Sequence, residues 1–284
     1  MGILQLHSII NYIITKRREV SMRVIIKKDY EEVTDWAATY IAYKINRARP
    51  TASKPFILGL PMGDTPKGVY KKLVELNHKG KLSFANVIIF CMNEFVGLDA
   101  KAPQSCRSYM NEYLLKHVDT KAANIFILDG KTKNYEKECA NFELAIKQKG
   151  GIDLFVGGVG EDGHIAFNEP FSSLSSLTRV KTLTTETMKT KAKLFDNDIA
   201  KVPHTVLTVG VGTIMSAKEV LFLATGKNKA KATKAAIEEG VNHKWPVSAL
   251  QMHKHGIYLC DEDASFKLDK GTIAYLKDIE RNAY

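Results

Sequence analysis

The string Gly157-Gly158-Val159-Gly160-Glu161-Asp162-Gly163-His164-Ile165-Ala166-Phe167-Asn168-Glu169-Pro170 sets two carboxylates, Asp162 and Glu169, close to the imidazole of His164. A carboxylate can hold an imidazole in one tautomer and raise its basicity, which makes the ring a proton shuttle near neutral pH. The surrounding glycines let backbone approach a ligand closely. The plain alternative is a turn in which Asp and His satisfy loose backbone groups, and spacing alone leaves both readings open. Three other stretches share this punctuation: Gly59-Leu60-Pro61-Met62-Gly63-Asp64-Thr65-Pro66, Phe90-Cys91-Met92-Asn93-Glu94-Phe95-Val96-Gly97, and Thr208-Val209-Gly210-Val211-Gly212-Thr213.

Such stretches need a frame, and hydrophobic periodicity supplies one. Short apolar, β-branched runs at 23–26, 56–60, 87–92, 125–128, 154–157, 206–209, 220–224 and 257–260 read as strands, with helical patterns between most of them. Asp29 with Glu32 three residues on predicts a capped helix whose Val33, Trp36, Ala37, Tyr40, Ile41 and Ile45 share a face. Other helices are expected through Val69 to Leu76, Tyr135 to Ile146 and Lys229 to Glu239, and Thr65 is expected to cap a helix that Pro66 opens. Strand and helix alternation implies an α/β class, with one doubly wound, Rossmann-like domain and a mostly parallel sheet. In such sheets ligands lie beyond the carboxyl ends of the strands, where all four stretches fall.

The domain is expected to span residues 22–284, preceded by an extension over residues 1–21. Gly2 to Thr15 is apolar and is followed by Lys16, Arg17 and Arg18, the reverse of a secretory signal. It is read as an extension, with a short amphipathic helix as the alternative. No apolar run reaches the roughly 18 residues of a membrane span. Four scattered cysteines, Cys91, Cys106, Cys139 and Cys260, form no zinc or disulfide framework, which points to reduced thiols and a cytoplasmic protein. His253 and His255 lack a third metal ligand and are read as a surface pair. Forty-one Lys and Arg against 31 Asp and Glu give a charge of +10, which favours anionic partners. The lysines are dispersed without a nucleic-acid-binding signature, which weakens that reading, and charge alone does not choose between phosphorylated metabolites and an acidic membrane surface.

The string from Gly157 to Pro170 closely resembles the signature of glucosamine-6-phosphate deaminases. The resemblance runs from Met22 to about Glu280 and includes Leu-Gly-Leu-Pro from Leu58, Glu94-Phe95-Val96-Gly97-Leu98, Phe195-Asp196-Asn197-Asp198, Leu207 to Thr213 and Val241-Asn242-His243. It implies a Rossmann-like fold, a homo-oligomer that is commonly a hexamer, and conversion of glucosamine 6-phosphate and water to fructose 6-phosphate and ammonia without cofactor or metal. His164 would open the sugar ring, oriented by Asp162 and Glu169. A 6-phosphogluconolactonase, the rival within this fold, resembles Gly-His-Thr-Ala-Ser where this chain has Gly163-His164-Ile165-Ala166-Phe167.

The chain departs from that pattern elsewhere. The family's C2 base is the Asp of Met-Asp-Glu, and here the triplet reads Met92-Asn93-Glu94. The implied phosphate positions are Gly63, Asp64, Thr65, Lys193 and Lys229; Asp64 is a carboxylate where relatives carry Gly or Ser, and Lys193 stands for an Arg. Cys106 and Arg107 replace an aromatic-rich segment. Two functions are therefore expected as alternatives: a weakened deaminase, or a catalytically silent sugar-phosphate-binding subunit that assembles with an active relative. The resemblance also implies an effector site for N-acetylglucosamine 6-phosphate at Ser172, Arg179, Lys181, Thr182 and Tyr275, which keep the family's residue types.

Overall fold

A computed structural model describes residues 22–282, so the extension expected over residues 1–21 lies outside the described residues. In chain order the elements are β1 (Arg23–Lys27), α1 (Tyr30–Ala48), β2 (Phe56–Leu60), α2 (Thr65–His78), β3 (Val87–Cys91), β4 (Asn93–Phe95), α3 (Cys106–Tyr113), β5 (Ile125–Ile127), α4 (Tyr135–Gln148) and β6 (Leu154–Gly158). There follow β7 (Arg179–Thr182), α5 (Thr185–Lys191), β8 (Thr205–Thr208), α6 (Val211–Met215), β9 (Val220–Ala224), α7 (Ala230–Ile237), β10 (Gly256–Asp261) and α8 (Lys270–Asn282).

Seven strands pair in parallel in the order β1-β10-β9-β6-β2-β3-β5. Every residue of β2, β3, β9 and β10 is buried, as expected for strands covered by helices on both faces. On one face Val33, Ala37, Ile41 and Ile45 of α1 pack with Val69, Tyr70 and Leu73 of α2. On the other, Cys139, Phe142 and Ile146 of α4 join Ala232 and Ala236 of α7. Burying each such large side chain contributes about 1.5–3 kcal/mol. Asp29 caps α1 as expected, accepting from Glu32 N at 3.0 Å.

After β2 the chain builds outward through β3 and β5, then returns with β6 on the opposite side of β2 and continues outward through β9 and β10. The order therefore reverses between β2 and β6, and the crevice at their carboxyl ends is the place where such sheets bind ligands. The loops entering it are those starting at Pro61 and Val159.

Two expectations change here. The run at 206–209 does not enter the main sheet; β8 is the centre of a separate antiparallel sheet, β4-β8-β7. Asn93, expected in a loop, lies in β4 opposite Thr208. This small sheet roofs the crevice over an aromatic cluster in which Phe95 meets Phe167 at 5.7 Å and Phe195 at 5.6 Å between ring centroids. No helix among the described residues is long and apolar enough to cross a membrane.

Candidate functional site

The loop after β6 folds back on itself. Gly160 N donates to His164 O at 2.8 Å and Gly163 N to Gly160 O at 3.1 Å, which brings the imidazole down over Gly160. A Cβ on Gly160 would lie 2.2 Å from His164 Nδ1, so only glycine leaves the ring its place. Gly163 takes φ +78 with Trp245 against it. His164 Nδ1 lies 2.6 Å from Asp162 Oδ1, which also accepts from His164 N at 3.2 Å. Burial pushes the Asp162 carboxyl up, but its hydrogen bond and charge attraction to His164 prevail and hold it below its ordinary value. A carboxylate on Nδ1 leaves Nε2 to exchange protons with a ligand.

Glu169 does not join this pair. Its Oε1 accepts from Thr184 N at 3.1 Å, Thr184 Oγ1 at 2.8 Å and Thr187 Oγ1 at 2.5 Å, and its buried Oε2 has no partner. The expected orientation of His164 by Glu169 is thus replaced by Asp162 alone, because two threonines at the start of α5 hold the Glu169 carboxylate.

The loop after β2 is pinned from below. Tyr70 Oη donates to Pro61 O and Tyr109 Oη to Gly63 O, the latter at 2.5 Å. Gly63 adopts φ +146, which other residues rarely take. Met62 is half buried and packs against the cluster containing Phe95 and Phe167. Thr65 does not cap the helix as expected. It is the first residue of α2, and Asp64 precedes it in helical geometry with no side-chain capping bond. The Asp64 carboxylate instead bridges Lys193 Nζ and Lys67 Nζ, the second at 3.0 Å. Hydrogen bonds from Lys193 first, then Lys67, lower the Asp64 carboxyl to about 2, so it is charged at any ordinary pH. Both partners of the Lys193 pair are more than half exposed, so it adds little stability, at most about 1 kcal/mol. Its effect is on charge: the lysine at the expected phosphate position already has a counter-ion.

Lys229 ends a 3₁₀ turn, Lys227–Lys229, that leads into α7. Asp261 holds this turn through Gly226 N, 3.0 Å from both carboxylate oxygens, and Asn228 ties it to Glu161 at 2.7 Å. Burial lowers the Lys229 pKa, with the acids Glu161 and Asp162 opposing that shift.

Asn93 is buried at 2% exposure and its Nδ2 has no partner. The neighbouring Glu94 is not a free carboxylate: Oε1 accepts from Phe95 N at 2.9 Å and Cys106 N at 3.0 Å, and Oε2 from Arg107 N at 3.3 Å. It caps α3. Burial raises its pKa and these N–H groups counteract the rise.

The five expected effector residues are not gathered in one place. Arg179 of β7 donates to Asn168 Oδ1 at 2.9 Å and Leu177 O at 3.3 Å, and Lys181 lies on the same side of the strand. Thr182 ends β7, and Ser172 is buried with its hydroxyl unpartnered. Tyr275, 66% exposed, belongs to α8. That helix packs against the β1 edge, whereas β7 packs on α4, which lies over β3 with Phe142 at 5.3 Å from Phe90. His253, expected on the surface, is buried, with Nε2 2.9 Å from Ala217 O and Nδ1 accepting from His255 N at 3.0 Å. It serves the loop before β10.

With this geometry in place, the chain matches over residues 28–259 the family described as glucosamine-6-phosphate isomerases/6-phosphogluconolactonase. It is 55% identical over 260 residues to a glucosamine-6-phosphate deaminase of Phocaeicola vulgatus, across 92% of this chain and 99% of that one. The chain belongs to this family. A glucosamine-6-phosphate deaminase of Borreliella afzelii is 52% identical over 263 residues, 93% of this chain and 98% of the relative. Among solved structures, a monomeric glucosamine-6-phosphate deaminase superposes with a TM-score of 0.82 at 36% identity, covering 86% of this chain and 99% of that chain. A 6-phosphogluconolactonase from Thermotoga maritima, at 20% identity and a TM-score of 0.66 over 85% of this chain and 100% of its own, shares the fold.

Several site residues of this family member escape sequence reasoning. Lys67, Tyr70 and Tyr109 shape the loop after β2, Asp261 and Asn228 set the turn before Lys229, and Lys191 enters the crevice beside Phe167. Only Lys67, three residues after Asp64 on a predicted helix, carried a usable signal.

Proposed function

We propose that this chain takes glucosamine 6-phosphate in the β2/β6 crevice and converts it with water to fructose 6-phosphate and ammonia, slowly, because position 93 offers no carboxylate. The observation that carries this reading is the Asp162–His164 pair at 2.6 Å on the glycine loop. In ring opening, His164 Nε2 takes the proton of the anomeric hydroxyl and returns one to the ring oxygen as the C1–O5 bond breaks and the C1 carbonyl forms. Asp162 holds the tautomer and stabilises the transient imidazolium. The next step passes the C2 proton to solvent water, a weak base, which is what makes turnover slow. An amide at 93 has no basic oxygen for it, and Glu94 is committed to capping α3. Re-protonation at C1 and hydrolysis of the resulting C2 imine would then release ammonia.

The second reading, a silent sugar-phosphate-binding subunit, is favoured by Asn93 together with the Asp64–Lys193 pair. An N-acetylglucosamine 6-phosphate site formed by Ser172, Arg179, Lys181, Thr182 and Tyr275 belongs to an assembly, homo-oligomeric or with an active relative, since one chain leaves Tyr275 apart from the rest. Coupled detection of ammonia and fructose 6-phosphate from the purified full chain decides between these readings. Equal amounts of both products support the slow enzyme. Products from Asn93→Asp but not from the wild type support the silent subunit, and none from either overturns the deaminase assignment.

A further inference from the structure

The segment from Thr184 to Phe195 closes over the crevice. At its start Thr184 and Thr187 hold Glu169. At its end Ala192 and Phe195 sink into the cluster with Phe95, Phe167 and Met62. Between these anchors α5 ends at Lys191 and tightens into a 3₁₀ turn over Ala192–Leu194, where residues two apart point in different directions. Lys193 therefore reaches the rim and pairs with Asp64. Lys191 turns inward, with Nζ 5.4 Å from the centroid of the Phe167 ring, in the loop that carries His164. The residue is half buried, and its amine makes no ion pair or hydrogen bond with any described residue, unlike those of Lys67 and Lys193.

Burial, then repulsion from Lys193 and Lys229, lowers the Lys191 pKa, while Asp64 and Asp162 pull the other way. These charges lie on the loops after β2 and β6, and the Phe167 contact sets the amine beside the second of them. Lys229 shares the surroundings: it too is desolvated, is repelled by Lys193 and is attracted by Asp64 and Asp162. A desolvated ammonium without a counter-ion is unfavourable, and a ring face recovers only part of the loss, about 0.5–2 kcal/mol. Two such amines with the same charged neighbours are offset when an anion binds beside them.

We propose that Lys191, with Lys229, seats the phosphate of a sugar monophosphate in this chain, the task that Lys193 gives up by pairing with Asp64. The inference rests on the sugar-phosphate reading above and adds the residue that receives the ligand's charge.

Calorimetry and thermal shift on the full chain, with glucosamine 6-phosphate and with inorganic phosphate as probes, test it. Lys191→Met is expected to weaken glucosamine 6-phosphate binding roughly tenfold to a hundredfold, the loss of one charge-assisted contact. Lys191→Arg is expected to retain most of the affinity, and the ligand-free melting temperature of Lys191→Met should not fall, because an unpaired cation has left an apolar wall. Joint removal of the rim pair by Asp64→Gly with Lys193→Met should leave affinity nearly unchanged; a loss as large as that of Lys191→Met would return the phosphate to Lys193 and overturn the proposal. So would Lys191→Met binding as tightly as wild type, which leaves the sugar-phosphate reading standing. If wild type binds inorganic phosphate but not the sugar phosphate, and Lys191→Met loses that binding, the Lys191 seat is upheld and the sugar reading fails. Wild type binding neither probe at millimolar concentration overturns both.

Discussion

Two loops meet across the switch point of the sheet. The one after β6 keeps its imidazole on a carboxylate, with glycines shaped around the ring, and leaves His164 Nε2 without a partner among the described residues. The one after β2 is held just as firmly, by Tyr70 and Tyr109, yet its charged group turns to the protein's own lysines. Firm placement of backbone is thus common to both, and what differs is whether the side chains are left unsatisfied for a substrate. Asn93, at the position expected for the C2 base, sits with the second group: it is buried beside a carboxylate that serves a helix cap. The comparison sets apart the two proton transfers of the proposed reaction, at the ring oxygen and at C2, so that each can be tested alone.

The largest expected effect tests that separation. Asn93→Asp restores a carboxylate to the crevice and should raise turnover by at least about tenfold, toward the hundred- to ten-thousandfold that a general base contributes. An unchanged rate at saturating substrate would place the base elsewhere. Next comes the intact half. Gly160→Ala sets a methyl where the His164 ring lies, and overpacking of this kind costs about 1–3 kcal/mol, readable by denaturant unfolding. Turnover in the Asn93→Asp background should fall with it by at least about tenfold as His164 leaves Asp162. A variant with both stability and rate intact would show that the loop tolerates a shifted ring.

A smaller effect is expected at the rim. Asp64→Gly frees Lys193 and removes a negative charge near the incoming phosphate, worth between about 1 and 3 kcal/mol at 5 Å depending on screening. The gain should appear for glucosamine 6-phosphate, not for free glucosamine, and shrink as salt rises. Equal affinity in calorimetry would mean that the Asp64 charge does not reach the ligand. The smallest effect is the titration of Asp64 itself. Its pKa is lowered from 3.8 to about 2 in the folded chain, so the linked stability is fully present above 3.8 and is lost as pH falls toward 2. A carboxyl NMR titration should find its midpoint near 2, and Lys193→Met should move it up; a midpoint near 3.8 in the wild type would show the pair to be absent in solution.

The strands of the main sheet and the helix starting at Tyr30 were legible because each carries its own period and, for α1, its own cap. The β4 strand was not, since three residues hold no periodic signal and its partner β8 lies far along the chain. Glu169 was expected to orient His164, and its carboxylate is bonded instead to Thr184 and Thr187. The string brings Glu169 close to His164 in sequence, while Thr184 and Thr187 reach it only after the crevice has closed.

Sequence by itself determined the family, the parallel α/β frame and the close spacing of Asp162 and His164, because these depend on residue identity and on spacing within one segment. Tertiary structure alone decided where the charges go. Asp64 and Lys193 are 129 residues apart and meet only because the turn after α5 packs over the loop after β2. Lys191 and Lys193 are two residues apart and separate only because a helix tightens at its end over an aromatic cluster. A direct ion pair needs contact within about 4 Å, so which lysine meets the carboxylate and which faces the crevice is fixed by packing, not by proximity along the chain.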